Sequence, residues 1–140
     1  MPLEDLYALP SVDIRRETVL VPGEFLTEIH IPLPRSGARS TYHKIKERGT
    51  WDFAVVSVAL NAVVTNDSFQ DVSIVCGGVA PIPWRLRKGE AFLKGKPITE
   101  DLLRQAAKLD LRDTRPLEEN AYKVDLLETA VYRAGLALLE

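Results

Sequence analysis

The chain has 140 residues, 46% of them hydrophobic and 27% charged, with a formal net charge of −2, one cysteine and two histidines. A chain of this length makes one domain with a core large enough to need no staple, and the lone Cys76 excludes an intramolecular disulfide or a cysteine-built metal cluster. Interspersed charge of both signs excludes the strongly basic surface of a nucleic-acid binder. The acidic start MPLEDLYALPSVD lacks an apolar leader, and no run is long enough to span a membrane. The expectation is therefore a cytoplasmic protein without nucleic-acid or membrane partners.

Residues 1–22 carry prolines at 2, 10 and 22 and read as irregular. GEFLTEIHIPLP then alternates, with Phe25, Thr27, Ile29 and Ile31 on one side and Leu26, Glu28 and His30 on the other. That period of two predicts a strand ended by Pro32 and Pro34. RSGARS reads as a turn and STYHKIKER as a second strand. FAVVSVALNAVV is apolar throughout, and five of its twelve residues are valine, which favours a buried strand over a buried helix. TNDSFQ is a hairpin connection to a partner strand in DVSIVCGGVAP. Gly77 and Gly78 there predict a bulge or the close approach of another backbone.

The period turns helical near residue 86. RKGEAFLKG predicts a short helix closing at Gly95. TEDLLRQAAKL predicts a second, capped by Thr99, with Glu100 and Asp101 at the positive end of its dipole and Leu102, Leu103, Ala106 and Leu109 on its inner face. LEENAYKVDLLETAVYRAGLALL predicts the longest helix, with a core stripe of Tyr122, Leu126, Thr129/Ala130, Arg133/Ala134 and Ala137. Strands first and helices second give an α+β domain, a mainly antiparallel sheet with helices packed on one face. Val55, Val58, Leu60, Val72, Ile74, Leu102, Leu103, Leu126 and Leu127 are the expected core.

Catalytic motifs are absent: there is no GxGxxG, P-loop, HExxH or GxSxG. His30 and His43 lie on separate predicted strands with no ligand set around them, so no metal site is expected. Cys76, in an apolar run, reads as a buried inert thiol. The unusual stretch is residues 44–53, KIKERGTWDF, which joins two strands with cations and an indole instead of the glycine, asparagine and aspartate that merely turn a chain. Lys44 and Lys46 are two apart and point the same way on a strand, and Arg48 continues the row. Such a row repels itself unless an anion or an acid faces it. The residues alone leave two readings open, a solvated hairpin or a site for an anion or polarised carbonyl.

Five blocks in order, GEFLTEIHIP, STYHKIKERGTWDFAVVSVAL, VSIVCGGVAPIPWR, EAFLKGKPIT and AYKVDLLETAVYRA, resemble the C-terminal domain of the FAD-binding subunit of molybdenum hydroxylases, the xanthine dehydrogenase and carbon monoxide dehydrogenase flavoprotein family. The resemblance covers residues 18–139. It divides the chain into a lead-in, 1–17, and a flavoprotein C-terminal domain, 18–140. It implies an oxidoreductase module that completes the wall of an FAD site and takes part in electron transfer only with a separate flavin domain or subunit and with molybdopterin and iron–sulfur subunits. Leu26 matches the family's aliphatic residue against the flavin, and Lys44 its cofactor-contacting lysine. Lys46, Arg48 and Trp51 fall in a loop matching one that influences access to the flavin. Gly49 stands where the family often has a second arginine, and Tyr122–Lys123 where it often has Tyr-Arg. No pyrophosphate cradle is present, so the isolated chain is expected to be inactive and to hold no FAD tightly. The alternative is a non-catalytic module that keeps the fold for association, as a homodimer or in a larger assembly.

Overall fold

The computed structural model describes residues 1–49, 51–112 and 114–139. Four strands, β1 (Ala38–Ile45), β2 (Val56–Thr65), β3 (Ser68–Gly77) and β4 (Trp84–Arg85), form one antiparallel sheet in the order β1-β2-β3-β4. Three helices follow, α1 (Arg87–Leu93), α2 (Glu100–Leu111) and α3 (Tyr122–Leu136). The expected α+β architecture is the observed one.

Alternation decides which face of the sheet is covered. In β2, Val56, Val58, Leu60 and Ala62 are buried while Ala59 and Asn61 are exposed. Their inward neighbours on β3, Val72, Ile74 and Cys76, complete an apolar face. The helices cover it: α3 lies against β1 and β2, α1 against β3, and α2 bridges the other two helices. Small residues set how closely they approach. A Cβ on Gly89 would lie 2.8 Å from the Ala106 carbonyl oxygen, and one on Gly135 would lie 2.5 Å from a Leu103 methyl.

Polar groups in this layer are satisfied locally. Glu90, buried on α1, accepts from the Ile74 backbone N–H and the Arg85 Nε, each at 2.8 Å, and so ties α1 to β3 and β4. That hydrogen bond raises the Arg85 guanidinium above its usual range. Thr41 Oγ1 and Arg39 Nη1 on β1 donate to the Ala134 and Leu138 carbonyls at the end of α3, groups a helix terminus leaves unpaired. Thr99 caps α2 as expected, accepting from Leu102 N–H, and Gly95 takes a φ of 78° just beyond α1.

Several boundaries differ from the sequence reading. The β2–β3 connection is only Asn66–Asp67, both at positive φ, a two-residue turn whose twist matches the strands it joins. β3 therefore starts at Ser68, not Asp71. The bulge lies between Val63 and Val64, whereas Gly77 and Gly78 serve close approach: a Cβ on Gly78 would lie 2.7 Å from the Val55 carbonyl oxygen. α3 starts at Tyr122, because Asn120 Oδ1 accepts from Leu117 N–H and folds 117–121 into turns. Its buried stripe is Leu127, Ala130, Val131, Ala134 and Gly135, while Tyr122, Arg133 and Ala137 are exposed. Val55, Leu102 and Leu126 are half-buried at the edge of the core and the other expected core residues are fully buried.

The largest departure is the first predicted strand. Residues 21–37 are all exposed, and those from 24 to 35 belong to no helix, strand or turn. Alternation gives this segment an apolar side, but no neighbouring strand pairs its backbone.

Candidate functional site

Of the predicted site residues, Lys44 lies on the outer face of the sheet. Strand β1 turns Thr41, His43 and Ile45 toward the helices and Ser40, Tyr42 and Lys44 outward. Lys44 stands opposite Ser57, which stands opposite Gly77. This row is low. A Cβ on Gly77 would lie 2.6 Å from Ser57 Oγ, so a larger residue there would have to turn that hydroxyl aside. Tyr42, one repeat of the pleat away on the same face, divides it into two shallow depressions. One, of about 350 Å³, is bordered by Ser57, Ala59, Gly77 and Pro81–Pro83; the other, of about 460 Å³, by Ser40, Asn61, Ser73 and Val75.

The loop after β1 departs from the expected cation row. The strand ends at Ile45, where Val55 N–H donates to the Ile45 carbonyl and closes the stem. Gly78 packs against that stem, as its contact with Val55 requires. Lys46 thus lies outside the strand, and its Nζ donates to the Gly49 carbonyl at 3.4 Å. Among the described residues, Lys44 and Arg48 make no hydrogen bond or ion pair, and neither Glu47 nor Asp52 pairs with a loop cation. Trp51 and Phe53 are fully in solvent, at 105% and 93% relative exposure. The indole neither packs on the loop nor shields the sheet face. Thr50, within the same predicted loop, lies outside the described residues.

Leu26 sits on the extended N-terminal segment, 55% exposed, and makes no contact with the buried core. Leu26 thus lies on the N-terminal segment and Lys44 on β1, and the Lys44 side chain has no partner among the described residues. Reasoning from sequence missed Tyr42, Ser57 and Gly77. Tyr42 was accessible from the period of two that places it beside Lys44; Ser57 and Gly77 depend on register, which alternation within one strand does not specify.

Other groups are committed elsewhere. A cavity of about 700 Å³ opens between residues 78–86 and the facing ends of α2 and α3, walled by Val79, Trp84, Leu86, Leu111 and Leu127. Two of its charged groups serve the fold: Lys123 Nζ donates to the Gly78 carbonyl at 3.0 Å, and Asp110 accepts the Gly89 N–H at 2.7 Å. Burial pushes the Cys76 thiol up to about 12, reinforced by Asp110 and Glu90, so it stays an unreactive neutral group. His30 pairs with Glu28 on the exposed segment, and His43 Nε2 is buried without a partner among the described residues. No group of three or more His, Cys, Asp or Glu among the described residues is placed to hold a metal, and none of their helices is long and apolar enough to cross a membrane.

Residues 40–138 match the model of the CO dehydrogenase flavoprotein C-terminal domain. The chain is 34% identical over 123 residues to the aldehyde oxidoreductase FAD-binding subunit of Escherichia coli, covering 87% of this chain and 35% of that subunit. It is 32% identical over 85 residues to the glyceraldehyde dehydrogenase medium chain of Sulfolobus acidocaldarius, covering 61% of this chain and 30% of the relative. The chain therefore spans about a third of the length of these relatives. The carbon monoxide dehydrogenase of Hydrogenophaga pseudoflava superposes with a TM-score of 0.77 at 27% identity, over 86% of this chain and 44% of that one. The E. coli alignment is longer than the family-model match, so it reaches back from residue 40 through the exposed N-terminal segment.

Proposed function

The chain belongs to the CO dehydrogenase flavoprotein C-terminal domain family, and on that premise we propose that it forms one wall of an FAD site and supports electron transfer in an assembly with a flavin-binding partner and with molybdopterin and iron–sulfur subunits. Lys44 is the cofactor-facing cation in this reading, and Leu26 is the aliphatic contact to the ring. The 46–53 loop, with Lys46, Arg48 and Trp51, borders the path of an electron acceptor. Residues 18–140 act as the flavoprotein module and 1–17 as its lead-in.

The observation that carries the reading is Lys44 itself, a cation without a partner among the described residues, beside a face kept low by Ser57 and Gly77. A flat ring system fits the low row beside Tyr42, and an ammonium at its edge favours negative charge on the ring. The residues fit a wall and not a complete site. The N-terminus of α1 is taken by Asp110 and that of α2 by Thr99, which leaves neither free for a pyrophosphate. Bound FAD supplies the electron-accepting chemistry; the residues of this chain supply shape, charge and control of solvent access.

The test is a flavin redox titration of the reconstituted assembly. Lys44→Met keeps the aliphatic stem and removes the charge. Losing a tenfold preference for the reduced ring lowers the two-electron potential by roughly 30 mV, or weakens FAD retention. The melting temperature of the domain stays where it was, since an exposed lysine contributes little to folding. An unchanged potential and unchanged FAD affinity would return Lys44 to the solvated surface.

A further inference from the structure

We infer that the cavity between residues 78–86 and the facing ends of α2 and α3 binds a small monocarboxylate with an aromatic body, a site independent of the flavin reading. At about 700 Å³ the cavity has the size of a small-molecule pocket. Its walls are largely apolar. Val79, Leu111, Val124 and Leu127 line it, and the Trp84 indole adds a flat surface against which an aromatic ring can lie. The cavity opens on the side of the sheet that the helices cover, and it meets the outer face only at Gly78 and Ala80.

Three polar side chains of the lining have donors to spare. Arg115 makes no hydrogen bond or ion pair among the described residues. Lys123 donates one of its ammonium hydrogens to the Gly78 carbonyl at 3.0 Å, which fixes the side chain without neutralising it. Asn120 accepts the Leu117 N–H on Oδ1 at 2.7 Å. That bond settles which end of the amide is the oxygen, and its Nδ2 group has no partner among the described residues. The negative groups, by contrast, are engaged. Asp110 accepts the Gly89 N–H at 2.7 Å and the Lys88 N–H at 3.3 Å. The Leu111 carbonyl at the end of α2 accepts both the Thr114 N–H and the Thr114 hydroxyl. The lining thus sets two cations, Arg115 and Lys123, against one carboxylate that is already turned to α1. Spare donors beside a single excess positive charge suit one carboxylate group. Apolar walls suit an uncharged body behind it. A polyanion such as a nucleotide would outweigh the two cations present.

Amide chemical-shift mapping of the full chain, titrated with 2-naphthoate, tests the inference. Acetate keeps the charge without the ring, and 2-naphthamide keeps the ring without the charge. 2-Naphthoate should bind with a Kd below about 1 mM. It should shift the amides of Val79, Trp84, Leu111, Val124 and Leu127 and leave those of Tyr42, Asn61 and Val75 on the outer face where they were. Acetate and 2-naphthamide should each bind at least about tenfold more weakly, and Arg115→Gln should weaken 2-naphthoate by a similar factor. The Arg115 side chain is exposed, so the ligand-free spectrum of that variant should match the parent away from the substitution. Arg115→Lys restores the charge and should recover part of the affinity. The absence of a saturable shift up to about 10 mM would overturn the assignment. So would equal affinity for 2-naphthamide, or an Arg115→Gln variant that binds like the parent. Shifts centred on Tyr42, Asn61 and Val75 would also overturn it, by moving the ligand to the outer face while leaving the flavin reading intact.

Discussion

Strand β2 and the segment 24–34 both read as strands from sequence, with opposite outcomes. The segment alternates and β2 is apolar throughout, and both are rich in residues that suit strands. β2 lies between β1 and β3 with helices over one face, and Val56, Val58 and Leu60 are at most 1% exposed. The N-terminal segment from 24 to 34 pairs with no strand among the described residues, and its Ile31 and Leu33 are 85% and 91% exposed. Alternation therefore specifies a face and leaves open what will cover it. Backbone pairing and side-chain burial must both be supplied by neighbours, because a lone strand gains neither.

Truncation in the body and in the segment should separate the two regions most widely. Leu103 is fully buried on α2, with its methyls pressed where a Gly135 Cβ would stand. Leu103→Ala should cost about 2–5 kcal/mol, the lost burial plus the cavity left behind. Leu33→Ala should stay within about 0.5 kcal/mol. Urea denaturation of both variants, read as a shift in midpoint at constant slope, makes the comparison. Equal costs would show that the segment shares the core.

Alkaline titration sharpens the body side of the contrast. Burial raises the Cys76 thiol from an ordinary 9.0 to about 12. The unfolded chain loses that proton first. Between pH 9 and about 12 the native state binds more protons, and stability falls as pH rises. The slope from this group is about 1.4 kcal/mol per pH unit, fully absent below pH 9. Cys76→Ala should flatten that part of the stability profile measured by chemical denaturation between pH 8 and 11. An unchanged slope would mean that the thiol is reached by solvent.

Most of the body was legible because local signals and packing agree there. Thr99 with two acids marks the start of α2, Gly95 the end of α1, and the valine-rich run the central strand. The misplaced stripe on α3 shows what hydrophobicity omits. Ala130, Ala134 and Gly135 are buried for their small size, since β1, β2 and α2 come close to that helix, and a larger aromatic such as Tyr122 is left outside. The placement of Lys44 on the outer face of β1 was legible, and its surroundings were not. Period two places Tyr42 beside Lys44, but Ser57 and Gly77 enter through register across three strands. The cation row failed beyond Ile45, because the Val55–Ile45 hydrogen bond ends the strand and Lys46 closes on the Gly49 carbonyl instead. Leu26 could be matched by resemblance alone, since it lies on the exposed segment outside the buried core.

The smallest expected effect is the one that would break the comparison outright. A carboxylate placed in a core costs several kcal/mol, because the buried charge loses its hydration. Ile29 and Ile31, at 68% and 85% exposure, would keep theirs as aspartates. The doubly substituted full chain, Ile29→Asp with Ile31→Asp, should match the parent in denaturation midpoint within about 0.5 kcal/mol and in slope. Sedimentation over a range of concentrations must accompany the measurement, since removing exposed apolar groups also lowers any self-association that stabilises the parent by mass action. A loss above about 1 kcal/mol at concentrations where both chains are monomeric would place the isoleucines against the body in solution. The free edge of β1 would then be the surface to examine, and the segment would be part of this domain's own fold.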